Sequence, residues 1–428
     1  MLNQEQLIKE ITDYAEDISL ESDKATKLFR RSLVDTITNT VKIKDNGHVF
    51  ISTGDIEAMW LRDSTFQILS YLQIANDIEE IKQLVHGVIE QQIDYIQHDP
   101  YANAFNEGES GAHYSNDESN IPISDLVWER KFEIDSLCAP LFLAIQLYNE
   151  TDYKAHFTDN FWKTVELIID TFINEQNHEQ SDYFLKRFDC PPQDTLSNNG
   201  RGASVGYTGM VWSGFRPSDD ACEYGYFIPG NLFIVSVLKQ LIPLIPEGKY
   251  SFLKENCSSL IFDIEEGINK YGILTVDETG EKIYAYEVDG LGNQLFMDDA
   301  NVPSLLSLPF LDYCSPTDPL YQSTRKYILS NYNKYYYSGK YLAGIGSPHT
   351  PPDHVWPISV AMEGLTTNDV NIIEKKIHDI STTDAGTFQC HEGVHVDDPN
   401  QYTREWFSWS NMTYCQLVFH YLKVTDKY

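Results

Sequence analysis

Apolar and polar positions follow two different rhythms along this chain. In three stretches the apolar residues step by three and four. These are Ile78, Ile81, Leu84, Val85, Val88, Ile89, Ile93 and Ile96; Phe161, Trp162, Val165, Ile168, Ile169, Phe172 and Ile173; and Phe252, Leu253, Cys257, Leu260, Ile261, Ile264 and Ile268. That period predicts helices with one buried face. The segments TFQILSYL, LCAPLFLAIQLY, NLFIVSVLKQLIPLI, SLLSLPFL, ISVAMEGL and MTYCQLVFHYL are more uniformly apolar. Without a polar face they predict helices enclosed on all sides.

Each enclosed segment is entered through a loop rich in Trp, Arg, Asp or Glu: AMWLRDS, WERKFEIDS, GFRPSDDACEYGYFIPG, QLFMDDANVP, GSPHTPPDHVWP and REWFSWSN. With helix starts at Asp63, Asp135, Pro229, Asn301, Pro357 and Trp409, every interval has room for two helices and a connection. Asp63, Asn301 and Ser410 suit helix N-caps, and Pro229, Pro303 and Pro357 suit first turns. Enclosed and one-sided helices in alternation predict an inner and an outer ring, an all-α (α/α)6 toroid. Residues 1–42 would be lead-in helices to a single catalytic domain spanning 1–428. Short β-hairpin inserts, such as ILTVDETGEKIYAYEV turning at Thr279-Gly280, would line the rim. If the inner helices run parallel, the six polar loops meet at one end.

Composition narrows the partners. Across 428 residues, 64 Asp and Glu face 31 Lys and Arg, a formal charge of −33. A nucleic-acid site needs a basic footprint that is missing here, and the same charge argues against anionic membranes. At 42% hydrophobic and 13% aromatic the chain can bury a large core. The richest apolar stretch, Leu232 to Ile245, is broken by Lys239, Gln240 and Pro243 and falls short of a membrane span. The opening residues MLNQEQLIKEITDYAED read as a charged amphipathic helix, not a basic-then-apolar leader. Seven cysteines without a Cys-x-x-Cys pair fit reduced thiols in a cytoplasmic protein.

The converging loops bring carboxylates, aromatics and Arg together, the mixture a neutral polyol needs. Carboxylates accept from vicinal hydroxyls, Arg donates to oxygens, and flat rings cover the C–H face of a sugar. For any single residue, core packing or helix capping is the commoner role; recurrence at the same place in the repeat favours a site. A glycosidic bond needs one carboxyl to protonate the departing oxygen and another to activate water or attack the anomeric carbon. Asp219-Asp220, with Glu223 nearby, is one candidate cluster, whose mutual repulsion would keep a proton on one member. Asp298-Asp299 is a second, and Glu392 in FQCHEGVHV a third, with glycine beside it to let a substrate approach the backbone. Spacing does not choose among them. Trp60 and Asp219 belong with the candidate sugar-binding residues. His113, in the polar loop EGESGAHYSNDESN, could reach the site.

The strings AMWLRDS, RPSDDACEYGYFIPGN, MDDANVPSLL, GSPHTPPDHVWP and HEGVHVDDPNQYTREWFSWSN resemble glycoside hydrolase family 125, the metal-independent exo-α-1,6-mannosidases, from about Asp23 to the C-terminus. The resemblance implies an (α/α)6 fold and hydrolysis of non-reducing terminal α-1,6-mannose with inversion, without metal or cofactor. It implies Asp220 as general acid and Glu392 as general base, with Arg62, Asp63, Asp299, Asn301, His349 and Arg404 holding mannose. Mannose-containing oligosaccharides would be the partners. In an exo enzyme, Arg62, Asp63 and Arg404 would form a charged end wall, and their replacement by Ala should cost binding more than folding.

Two rivals remain at this stage. His391-Glu392-Gly393-Val394-His395 matches the HExxH zinc-protease motif, which requires a helix. Gly393 inside it and Pro399 just beyond disfavour one. A non-catalytic sugar-binding toroid is the other; it would bind α-1,6-mannobiose without cleaving it.

Overall fold

The computed structural model describes residues 2–427. Its helices are α1 (Gln4–Asp17), α2 (Asp23–Asn39), α3 (Leu61–Leu69), α4 (Glu80–His98), α5 (Ile134–Thr151), α6 (Asp159–Glu175), a single turn α7 (Ser197–Gly200), α8 (Ile228–Leu241), α9 (Phe252–Tyr271), α10 (Pro319–Ile328), α11 (Pro357–Leu365), α12 (Val370–Thr382) and α13 (Ser408–Val424). The fold is an (α/α)6 toroid. Inner helices α3, α5 and α8 pack in succession, as do α11, α13 and α3. The outer helices α4, α6, α9 and α12 return behind them. Aromatic side chains fill the centre. Phe66 of α3 stacks on Trp409 of α13 at 5.7 Å between centroids and touches Phe142 of α5 and Phe310. Rings of this size stabilise by roughly 1.5–3 kcal/mol each when fully buried.

The one-sided stripes are buried largely as their period requires. In α6, Phe161, Trp162, Val165, Ile168, Ile169 and Phe172 are buried, but Ile173 is exposed. One step past Phe172, it lies about 100° off the stripe. Phe252, the first residue of α9, is likewise exposed. The second lead-in helix also closes the ring, because α2 packs on both α13 and α12.

One expected inner helix does not form. Residues after Asn301 run through turns, with Ser307 N bonded to Ser304 O and Leu311 N to Ser307 O. Pro303 and Pro309 lack the amide hydrogens an α-helix would use, and a proline ring clashes with the preceding turn. This segment still occupies the inner position beside α8: Ser236 Oγ donates to Leu311 O at 2.6 Å.

The expected N-caps also move. Asp63 and Ser410 each sit third in their helices; the cap positions are Trp60 and Phe407, with no side-chain cap bond. Pro229 and Pro357 do occupy first turns. Outer helices α2, α6, α10 and α12 use ordinary polar caps: Ser22, Thr158, Asp318 and Asp369. The inner helices are entered from β-structure instead. Three small antiparallel sheets tie their entry loops together. Met59–Trp60 pairs with Ala104–Phe105, which pairs with Val127–Glu129. Tyr226–Phe227 pairs with Glu287–Val288, which also pairs with Gln294–Leu295. His354–Val355 pairs with Gly393–His395, which pairs with Asp398–Thr403. The predicted hairpin forms as Ile273–Thr275 against Lys282–Tyr284 and packs on α10.

Candidate active site

The sheets determine which loops meet. The first brings Trp60 and the start of α3 beside Asn103 and Glu129. The third sets Glu392 beside Arg404, whose carbonyl, with that of Thr403, lies 3.3 Å from Glu392 N. First and last loops join where Gly54 bridges Phe407. A Cβ at Gly54 would stand 2.9 Å from Trp406 O, and its φ is +115°. Only glycine fits there. Gly393 serves packing instead, with Thr403, His354 and Trp356 around the place a Cβ would take.

These loops enclose a cavity of about 270 Å³. Trp60, Arg62, Asp63, Asp219, Asn301, His349, Glu392 and Arg404 are among the residues that line it. Asp220 and Asp299 stand just behind the wall. Asp220 Oδ1 is 3.1 Å from His349 Nδ1. Asp299 accepts from Asn301 Nδ2 and from Ser347 Oγ, both at 3.1 Å. Asp298 turns away to accept Leu305 N and Leu306 N, a backbone-capping role.

Asp219 and Asp220 diverge because Asp219 has φ +66°. Asp219 accepts from Asn103 Nδ2 at 3.2 Å and Trp60 Nε1 at 3.3 Å. Burial opposes its charge, yet Lys131 and Arg62 hold its carboxyl below the usual carboxylate range. Like-charge repulsion therefore does not keep a proton on Asp219. Glu223, exposed to solvent, adds nothing to the cavity.

Arg62 lies within a cage of acids. Nη1 donates to Glu133 Oε2 at 2.6 Å and Asp135 Oδ2 at 3.1 Å, and Nη2 is 3.1 Å from Asp63 Oδ2. Burial pushes Glu133 well up and Asp135 up to about 6, against the pull of Arg62. Burial likewise raises Asp63. The guanidinium is committed to this cage and only 2% exposed, so its removal would strand buried carboxylates as well as change the cavity wall. Arg404 is different. It grips Asp55 with Nε and Nη2 at 2.8 and 2.7 Å and turns Nη1 to within 3.7 Å of Glu392 Oε1.

His349 sits at the meeting point. Burial disfavours its charged form, but the hydrogen bond and charge of Asp220, then the charges of Glu392 and Asp219, push it up to about 9. Its side chain keeps 39% of its surface open because it faces the cavity.

Several lining residues escaped sequence reasoning. In the loop where His113 drew notice, Tyr114 lines the cavity, while His113 Nδ1 meets Val127 O at 2.8 Å. Glu129 and Asp194 line it as well. Lys131 Nζ reaches Asp194 Oδ1 and Asp219 O, both at 2.6 Å. Asp194 lies in a stretch without helical or strand period and carried no signal.

The HExxH alternative fails on conformation. Gly393–His395 is a β-strand, so the two histidines stand roughly four extended residues, about 13 Å, apart along the chain. His391 stacks on Tyr402 at 3.8 Å. Among the described residues no group of three or more His, Cys, Asp or Glu is arranged to hold a metal ion.

Comparison with known proteins identifies the family. A protein of Schizosaccharomyces pombe, the meiotically up-regulated gene 157 protein, is 35% identical over 97% of this chain and 86% of its own. A Streptococcus pneumoniae metal-independent α-mannosidase, solved in a non-productive complex with α-1,6-mannobiose, superposes with a TM-score of 0.92 at 42% identity over 98% of both chains. A bacterial glucoamylase complexed with acarbose shares the fold at TM-score 0.57 and 12% identity, over 96% of this chain and 58% of its own. The family model for metal-independent α-mannosidases matches residues 22–419. The chain therefore belongs to glycoside hydrolase family 125, the metal-independent α-mannosidases.

Proposed function

We propose that this α-mannosidase releases non-reducing terminal α-1,6-linked mannose from oligosaccharides with inversion, using Asp220 as general acid and Glu392 as general base. The observation that carries this reading is the position of His349, bonded to Asp220 and lining the same cavity as Glu392. The linkage is supported by the 42% identical S. pneumoniae enzyme, which was solved with α-1,6-mannobiose.

Asp220 gives its proton to the glycosidic oxygen while positive charge builds on the sugar ring. Glu392, with Arg404 Nη1 3.7 Å from its Oε1, takes a proton from the water that attacks the opposite face. Inversion needs room for that water, a carboxyl separation of roughly 6.5–9.5 Å. Asp219, already anionic, serves as a hydroxyl acceptor and not as the acid. Trp60, Asp63, Asn301 and Arg404 hold the sugar, and Asp299 acts by orienting Asn301. Exo action would follow if Arg62, which lines the cavity with its buried carboxylates behind it, denies passage to a second ring. The unpaired cysteines, most of them buried, suit a reducing compartment and hence the cytoplasm.

The test is incubation with α-1,6-mannobiose and its 1,2 and 1,3 isomers, following the first-formed anomer by NMR. Rapid release of β-mannose from the 1,6 isomer is expected. First-formed α-mannose would exclude inversion, and cleavage inside long mannans would exclude exo action.

A further inference from the structure

His349 has a partner that sugar binding alone does not explain. One ring nitrogen is committed to Asp220 Oδ1, while the other oxygen of that carboxyl, Oδ2, is buried and has no hydrogen-bond partner in the protein. The ring borders cavity solvent on one side and the buried acid on the other. Its placement is fixed through the backbone. His349 N donates to Ser347 Oγ at 3.2 Å, and that hydroxyl donates to Asp299 Oδ2 at 3.1 Å. Trp356 flanks the ring at 6.4 Å between centroids.

We propose that His349 is the proton partner of Asp220, recharging the general acid from cavity water in each turnover. The inference rests on the reading of Asp220 as acid. The Asp220–His349 pair holds one proton, resting on Nδ1 against the Asp220 carboxylate. As the C–O bond breaks, that proton moves through the Asp220 carboxyl to the departing oxygen, and the neutral ring then takes a proton from solvent. Glu392 loses to solvent the proton it took from the attacking water, so the cycle consumes and releases one proton each. His349 is thus a positioning residue that acts through Asp220. The charged groups facing it, Asp220, Glu392 and Asp219, all favour its cationic form against burial and raise it to about 9. The pair therefore retains a proton through neutral pH.

Two substrates separate this role from sugar binding. α-1,6-Mannobiose has an alkoxide leaving group that must be protonated; 2,4-dinitrophenyl α-mannoside has one that departs unaided. His349→Asn leaves an amide N–H near the place of Nδ1 but no proton to give. In both Asp220→Asn and His349→Asn, kcat/KM on mannobiose should fall by about 100-fold and on the aryl mannoside by less than about 10-fold. The alkaline limb of the mannobiose profile should also move to lower pH in His349→Asn.

If Asp220→Asn is selective for mannobiose but His349→Asn weakens both substrates equally, the proton-partner role falls and the acid assignment stands. If Asp220→Asn itself weakens both equally, the acid assignment falls and this inference with it. Near-UV circular dichroism checks folding, and His349→Gln is the second variant. The wild-type enzyme adds an independent reading. Its mannobiose profile should keep activity up to a limb near 9, and a limb at or below about pH 7 overturns the inference.

Discussion

Nη1 of Arg62 lies 2.6 Å from Oε2 of Glu133, with both side chains buried beside the cavity. The contact makes Arg62 the counter-ion of an acid cage that includes Asp135 and Asp63. Removing one partner of a buried ion pair strands the others. Arg62→Met should lower unfolding free energy by about 3–5 kcal/mol, read by urea denaturation. A loss below 1 kcal/mol would show that the cage relaxes by taking up protons.

Arg404 provides the contrast. Its pair with Asp55 is partly open, at 19% and 40% side-chain exposure, and such pairs contribute at most about 1 kcal/mol. Arg404→Ala should leave the thermal midpoint nearly unchanged and cut kcat/KM on mannobiose by about 10- to 100-fold, through lost hydroxyl contacts and a misplaced Glu392.

Glu392→Gln keeps the shape of the side chain and removes the base. Turnover of α-1,6-mannobiose should fall by about 10²–10⁴-fold while isothermal titration still detects mannose binding. Near-normal rates in the purified variant would refute the base assignment.

His349 links stability to pH. Its folded value, about 9, lies above the 6.5 of a free imidazole. The stabilisation is therefore complete below pH 6.5 and is lost as pH rises towards 9. Because the ring is open to cavity solvent, the effect is discounted to about 1–2 kcal/mol. Denaturation curves at pH 6 and pH 9.5 should show this extra loss in the wild type and not in His349→Asn.

Exhaustive chelation should leave activity unchanged, consistent with a family of metal-independent enzymes. Loss of activity that returns with added zinc or calcium would contradict the acid–base scheme.

The ring architecture was legible because it is written locally. The three-four step of Ile81 to Ile96, or of Leu253 to Ile268, needs only a helix and a wet side to explain it, and the apolar run Leu232–Leu238 needs only enclosure. Resemblance in the loop strings also pointed to Asp220 and Glu392 before any geometry. Reading failed where local rules compete. SLLSLPFL has helical apolarity, but its prolines deny the hydrogen bonds. Asp63 and Ser410 look like caps, but strand pairing shifts the caps to Trp60 and Phe407.

The sequence by itself determined the alternation of inner and outer helices and the polar character of their junctions, since periodicity and solvation act within a few turns of chain. Only the tertiary structure decided which acids share a cavity and in what state. The partners of Asp219, Trp60 and Asn103, arrive from more than a hundred residues before it, and the partner of Asp220, His349, from more than a hundred residues after it. Short sheets whose register no local pattern encodes bring these loops together. Adjacent aspartates thereby acquire different partners, one Lys131 and Arg62 and the other an imidazole.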